Sequence, residues 1–285
     1  MTWRQILEAG KGQLKAAGVA EYELDAWYLF EYAFGISRAH FYLCAKDEET
    51  ASSEQREVYE TYLKRREARE PLQYILGEQE FMGLSFYVNR HVLIPRQDTE
   101  ILVETVLSRH ERKETSILDM CAGSGCIAVS LAALGGYFCI MGADISHEAV
   151  FTARKNAARL CGSGTVRFRE SDLFSAFSAE ERFDVIVSNP PYIESGEIDA
   201  LEPEVSRFEP RTALDGAGDG LCFYRRLCAD CTRHLNDGGH VYFEIGSRQG
   251  EAVLSLLEAR GFTETEIIKD LTGKDRVVCA GWQTG

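Results

Sequence analysis

The chain has 285 residues, 45% apolar and 27% charged, the balance of a soluble globular protein with room for one large domain and one small one. Its formal net charge of −14 argues against a protein that grips a long nucleic-acid backbone, because such affinity comes from Lys and Arg neutralising phosphates. Nine scattered cysteines, an odd number, fit a reduced, cytoplasmic protein better than a disulfide framework. Residues 1–70 read as a small helical bundle, with apolar residues at helical spacing in Trp3, Ile6, Leu7 and Leu14 and again in Leu24, Trp27, Tyr28, Phe30 and Phe34. No charged and then apolar leader opens it, so no signal peptide is expected. Ser52 or Ser53 caps a later helix running to Arg69. The basic run Lys64-Arg65-Arg66 with Arg69 is interleaved with Glu60, Glu67 and Glu70 and reads as a solvated helix face.

Residues 71–97 read as a linker in which 74–77 and 81–88 pair as a hairpin. The remainder, 98–285, alternates strand and helix. Asp98 or Thr99 caps a helix to Arg109, and Arg96 just before it either faces the site or pairs with a surface carboxylate. Strands follow at 117–120, 137–143, 165–169 and 183–188, with helices at 126–134 and 147–161. Repeated βα units imply a parallel sheet with right-handed crossovers. The uncharged run 120–143 could mimic a membrane span, but five glycines break it and Asp119 and Asp144 bracket it. Residues 193–218 read as a long structureless loop, taken as a lid on the substrate side. A helix (219–234), a strand (239–245), a helix (248–260) and strands 264–269 and 275–281 close the domain. Cys228 and Cys231 form a lone C-x-x-C with His234 nearby; no second pair completes a zinc site, so core packing is expected and no metal.

Two stretches carry the chemistry. The apolar strand 183–188 stops at Asn189-Pro190-Pro191-Tyr192, since proline gives no N–H to a sheet, and Asn189 is presented at the strand's carboxyl end, where α/β sheets bind ligands. The Asn189 side-chain oxygen and the Pro190 carbonyl are two acceptors suited to one –NH2 group, and Tyr192 offers a flat face for a planar amide or base. The second stretch is the loop Gly123-Ser124-Gly125 between strand and helix, which lets a ligand approach the backbone. Asp144 ends the next strand, placed to take ribose hydroxyls. Gly123-x-Gly125-x-x-Ala128 also fits a dinucleotide fingerprint, leaving an NAD-dependent enzyme as an alternative. Asp119 ahead of the glycines, Asp172 placed for an adenine amino group, and an amine acceptor at 189–192 favour S-adenosylmethionine.

At these residues the chain resembles a class I methyltransferase, and more closely the HemK/PrmC family, the glutamine methyltransferases of peptide chain release factors. The resemblance runs through Pro71-Leu72-Gln73-Tyr74-Ile75-Leu76-Gly77, Leu93-Ile94-Pro95-Arg96 with Thr99-Glu100, Leu118-Asp119, Gly123-Ser124-Gly125-Cys126-Ile127-Ala128 and Asp144-Ile145-Ser146. It continues in Ser188-Asn189-Pro190-Pro191-Tyr192, Glu209-Pro210-Arg211, Ala213-Leu214-Asp215-Gly216, Asp219-Gly220-Leu221 and Glu244-Ile245-Gly246. It implies an α/β fold, a Rossmann-like seven-stranded, mostly parallel sheet behind a helical domain that docks the release factor. It implies S-adenosylmethionine held by Cys121, Ala122, Gly123, Ser124, Gly125, Asp144, Asp172, Leu173 and Asn189. Asn189 and Pro190, with Pro191 and Tyr192, would hold the glutamine of the release factor's Gly-Gly-Gln loop; no membrane and no stable nucleic-acid partner are implied. Glycine is usual in the family where this chain has Cys121, and an ordinary φ is expected there. Rival readings are methylation of a ribosomal-protein glutamine or a nucleobase amine, and a non-catalytic cofactor-binding assembly factor.

Overall fold

The computed structural model describes residues 1–44 and 52–284; the stretch 45–51, inside the expected helical region, and Gly285 lie outside the described residues. The chain forms two compact units, Met1–Gly77 with Glu202–Phe208, and Glu78–Leu201 with Glu209–Gly285.

The first unit holds helices α1 (Trp3–Ala16), α2 (Tyr22–Phe34), α3 (Arg38–Cys44), α4 (Ser53–Glu67) and α5 (Leu72–Leu76). Capping boxes open two of them, Thr2 with Gln5 and Ser52 with Gln55, each satisfying orphan backbone donors reciprocally. Leu14, Leu29, Phe30 and Tyr59 are fully buried between the helices. The expected strand at 74–77 is α5 instead. Pro71 sets its start, Gly77 closes it in the left-handed region, and Leu72, Ile75 and Leu76 pack into the helical core. The unit boundary therefore falls after Gly77, not at 70 and 97.

The basic run is not a solvated face. Arg66 is buried, with Nε 2.7 Å from Asp25 and Nη2 2.8 Å from Glu204, and Arg69 Nη2 lies 2.7 Å from Glu204. Desolvation raises the Asp25 carboxyl, which keeps Arg66 as its counter-ion. These pairs also correct the reading of 193–218 as structureless: Glu202–Phe208 is tied into the first unit by Glu204.

The second unit opens with an antiparallel hairpin, β1 (Glu78–Phe81) and β2 (Leu84–Tyr87), turning through Met82 and Gly83, both at positive φ. Helix α6 (Gln97–Arg109) follows. Its cap position is Arg96, not Asp98 or Thr99, and no side chain caps it, because a guanidinium has no acceptor for the first-turn N–H groups. Then come β3 (Ser116–Met120), α7 (Cys126–Ser130) continued by a π turn, β4 (Cys139–Asp144), α8 (His147–Leu160), β5 (Val166–Glu170), β6 (Phe183–Ser188), α9 (Pro203–Phe208, in the first unit), α10 (Cys222–Asp230), β7 (Leu235–Glu244), α11 (Gly250–Glu258), β8 (Thr263–Lys269) and β9 (Asp275–Gly281). The seven-stranded sheet runs β5-β4-β3-β6-β7-β9-β8, parallel except where β9 meets β7 and β8. β3, β6 and β7 are apolar on both faces because helices or loops cover both. Cys228 and Cys231 lie buried in that core, and His234 stacks on Phe174. No helix among the described residues is long and apolar enough to cross a membrane.

Candidate active site

The strand order places the site. After β3 the chain steps outward to β4 and β5, then returns to the other side of β3 with β6. Ligands bind at such a reversal, beyond the carboxyl ends of the strands. Register brings those ends level: Met120 pairs with Ala143 on one side and Ser188 on the other. Cys121, Asp144 and Asn189 therefore share one edge, above a cavity of about 440 Å³ that all three line.

Gly123, Asp172, Leu173 and Pro191 also line this cavity. Asp144 is locked in place: Oδ2 accepts from Gly123 N at 2.8 Å and Oδ1 from Ser146 N at 2.9 Å. Gly123 has φ of 54°, and an added Cβ there would project into open space. Asp172 pairs with Arg226 at 2.7 Å, and Arg226 lines the cavity as well. Three expected residues support the loop instead of lining it. Ala122 is buried in the core, Ser124 gives its carbonyl to Asn156 Nδ2 at 2.9 Å, and Gly125 packs against Ala153 and Phe168. Cys121 has φ of 64°, so the expectation of an ordinary φ is corrected. The turn from β3 demands the left-handed region, whatever residue stands there.

Asn189 Nδ2 donates to Thr99 Oγ1 at 3.1 Å, which leaves its oxygen as the open end. Pro190 and Tyr192 are not among the cavity-lining residues. The Tyr192 ring packs against the core, and its hydroxyl donates to the buried Glu244 Oε1 at 3.3 Å. Arg96 resolves neither way: it pairs at 2.5 Å with Glu209, whose carboxylate is buried rather than superficial. Of the expected lid, Pro210, Arg211, Thr212, Ala213 and Asp215 line the cavity.

Several supporting residues escape sequence reading. Gln249 Nε2 donates to the carbonyl of Tyr192 at 3.0 Å, and its Oε1 accepts from Gly246 N at 2.9 Å, so one side chain staples two loops. Asn156 Oδ1 accepts from Tyr87 N at 2.8 Å while Nδ2 bonds Tyr87 O and Ser124 O, joining hairpin, α8 and glycine loop. Asn156 left a signal, as a polar residue on the apolar stripe of Ala149, Val150, Ala153 and Ala157. Gln249 left none. His91 lines the cavity too.

A family model described as PrmC N-terminal domain matches residues 5–77, and one described as methyltransferase small domain matches residues 96–203. A release factor glutamine methyltransferase of Geobacter sulfurreducens is 41% identical over 277 residues, covering 97% of this chain and 95% of the relative. The chain belongs to the release factor glutamine methyltransferase family. The Clostridium botulinum member is 38% identical, covering 98% of this chain and 99% of its own. A solved methyltransferase from Pyrococcus furiosus has the same fold, with a TM-score of 0.52 at 20% identity over 72% of this chain and 91% of its own.

Two buried carboxyls beside the family's motifs give a pH signature. Desolvation pushes Asp119 up to about 8, although Ala128 N donates to it, and the neighbouring Asp144 adds to the rise. Desolvation likewise pushes Glu244 up to about 7, opposed by Thr99, Arg276 and Tyr192 and reinforced by Asp98. Each folded pKa lies above that of the unfolded chain, so the folded state holds more protons and stability falls as pH rises through the folded values. Urea unfolding between about pH 6.5 and 8.5, above the usual histidine range, should show wild type losing stability. Asp119→Asn and Glu244→Gln should each flatten that slope; an unchanged slope in both would mean that neither group titrates there.

Proposed function

We propose that this chain transfers a methyl group from S-adenosylmethionine to the side-chain amide nitrogen, N5, of the glutamine in the Gly-Gly-Gln loop of class 1 release factors, in the cytoplasm. The observation that carries this reading is the Asn189 carboxamide, whose nitrogen is spent on Thr99 so that its oxygen is left for a substrate –NH2. The cavity fits the cofactor: Gly123 leaves open space for close approach, and the fixed Asp144 carboxylate keeps lone pairs for ribose hydroxyls. Cys121, Gly123, Asp144, Asp172 and Leu173 would hold it, with Ala122, Ser124 and Gly125 shaping the loop beneath. When bound, it supplies an electrophilic methyl on a sulfonium.

The protein supplies alignment and charge. Asn189 Oδ1 and the Pro190 carbonyl would accept the two N–H bonds of the glutamine amide, aiming the nitrogen lone pair out of the amide plane. Alignment of this kind can contribute about 7–11 kcal/mol of the barrier. The same acceptors stabilise positive charge as it builds on nitrogen. No strong base is required of Asn189; the proton leaves late, to water. Tyr192, whose ring packs against the core, would fix the turn through Glu244.

The experiment is methyl transfer from labelled S-adenosylmethionine to a purified class 1 release factor, with its Gly-Gly-Gln glutamine intact or changed to alanine. Label on the intact protein alone is the expected result. Equal label on both would move the target residue, and label on neither would move the substrate.

Cys121 tests the cofactor loop. Cys121→Gly should change stability by less than about 1 kcal/mol, because relief of left-handed strain is offset by lost packing and a freer unfolded chain. Cys121→Val places a β-branched side chain at that φ and should cost about 2 kcal/mol, with weaker cofactor binding. Thermal unfolding and cofactor titration check both, and a valine variant equal to wild type would refute the strained turn.

A further inference from the structure

S-adenosylmethionine brings one carboxylate, at the end of its methionine tail. The cavity is lined, among the described residues, by three carboxylates already: Asp144, Asp172 and Asp215. A further negative charge in such a pocket is disfavoured unless a cation stands beside it.

Three basic side chains line the cavity, Arg226, His91 and Arg211. Arg226 is committed. Its Nη2 lies 2.7 Å from Asp172 Oδ1, at the end where adenine would lie. His91 stands on the ribose side. Its backbone N donates to Asn89 Oδ1 at 2.9 Å, and Asn89 Nδ2 donates at 3.0 Å to Thr152 Oγ1 on α8, the helix that follows Asp144. Arg211 belongs to the other end. The segment that carries it runs beside the residue after the Asn-Pro-Pro-Tyr turn: Ile193 N donates to the Leu214 carbonyl at 3.0 Å, and Gly216 N to the Ile193 carbonyl at 2.8 Å. With adenosine along Asp144 and Asp172 and the sulfonium toward Asn189, as proposed above, the methionine tail ends on the side of Arg211.

Arg211 also has hydrogen-bonding capacity to spare. Its guanidinium contacts are long: Nε to Asp215 Oδ2 at 3.3 Å, Nη1 to Asp199 Oδ1 at 3.4 Å and Nη2 to the Ser195 carbonyl at 3.5 Å. A strong charge-assisted bond is nearer about 2.7–2.9 Å. Asp215 does not depend on the arginine, because its Oδ1 accepts from Ser195 Oγ at 2.6 Å and from Ala217 N at 2.9 Å. The Arg211 side chain is 57% exposed, and its planar fork matches a carboxylate. We infer that Arg211 is a cofactor-binding residue that receives the carboxylate of the methionine tail. This rests on the cofactor proposed above and adds the group on this chain that pairs with its one anion.

Decarboxylated S-adenosylmethionine keeps the adenosine, the sulfonium and the amine and lacks only the carboxylate, so it separates this contact from any other duty of Arg211. Calorimetric titration of the chain, without release factor, reads both compounds. Wild type should bind S-adenosylmethionine about 10–100-fold more tightly than the decarboxylated compound, the worth of one hydrogen-bonded charge pair. Arg211→Met should weaken S-adenosylmethionine by about 10–100-fold and the decarboxylated compound by no more than about threefold. Equal loss for both would make Arg211 a support of the loop and overturn the inference, as would unchanged affinity for S-adenosylmethionine. Arg226→Met is the comparison: acting at the adenosine end, it should weaken both compounds alike. Loss of selectivity there and not in Arg211→Met would also overturn the inference. A wild type that binds neither compound overturns the cofactor reading and the inference with it. One that shows the selectivity yet leaves a purified class 1 release factor unlabelled supports Arg211 and overturns the substrate reading alone.

Discussion

Asn189→Ala should lower kcat for methyl transfer to a release factor by about 100–1,000-fold, the range measured when one preorganised polar group is removed from a transition state. Cofactor affinity should stay within about threefold, well under 1 kcal/mol. The split follows from the geometry. Asn189 lines the cavity with Cys121, Gly123 and Asp144, but the bonds that fix the cofactor loop run between Asp144, Gly123 and Ser146 and do not involve it. Truncation removes an acceptor that counts most when charge develops on the substrate nitrogen. Asn189→Gln is the sharper comparison. It keeps the carboxamide and moves it by one methylene, and displacement of about 1 Å can cost about 100-fold. Single-turnover transfer with saturating cofactor, alongside cofactor titration, measures both. Near-normal turnover in Asn189→Ala would remove Asn189 from the mechanism, and a loss confined to cofactor affinity would reassign it to the cofactor side.

What could be read in the sequence was local. The β-branched run 183–188 halted by two prolines and the glycine loop after β3 each declare a strand end, and parallel pairing then sets those ends level. The short α5 is declared only in part: Pro71 and Gly77 mark a helix start and stop, but the apolar residues between them also suit a strand. The supporting contacts were not legible, because each joins distant residues. Thr99 meets Asn189 across 90 residues and Gln249 meets Tyr192 across 57. Arg69 meets Glu204 across 135, so the basic run looks solvated until its carboxylates are in view. Cys121 shows a different limit. Composition gives no warning that a backbone position needs positive φ when the residue there is not glycine.

Gly220→Ala should slow the reaction and destabilise the chain from a position outside the cavity. Gly220 has φ of 69°, and a methyl group on it would fall within contact radius of the Tyr192 carbonyl oxygen and 2.5 Å from Gln249 Nε2. Those two atoms form the staple at 3.0 Å that holds the end of the Asn-Pro-Pro-Tyr turn. Gly216 crowds the same turn from its own position, where a Cβ would lie 2.8 Å from Tyr192 Cα, so the turn has no free side into which to yield. Left-handed strain of about 1–2 kcal/mol and overpacking of about 1–3 kcal/mol together predict a loss near 3 kcal/mol. Whatever the chain does to relieve the clash moves the Tyr192 carbonyl, two residues from the Pro190 carbonyl that receives the substrate, and a shift of about 1 Å there predicts about 100-fold in kcat. Gly218→Ala is the control: two residues away, at ordinary φ and with nothing near its Cβ, it should change neither quantity. Urea unfolding and single-turnover rates on folded protein separate the two effects. Lost stability with a normal rate would mean that the cradle serves folding alone. A lost rate in a stably folded Gly220→Ala would place the Pro190 carbonyl among the groups whose position the reaction requires.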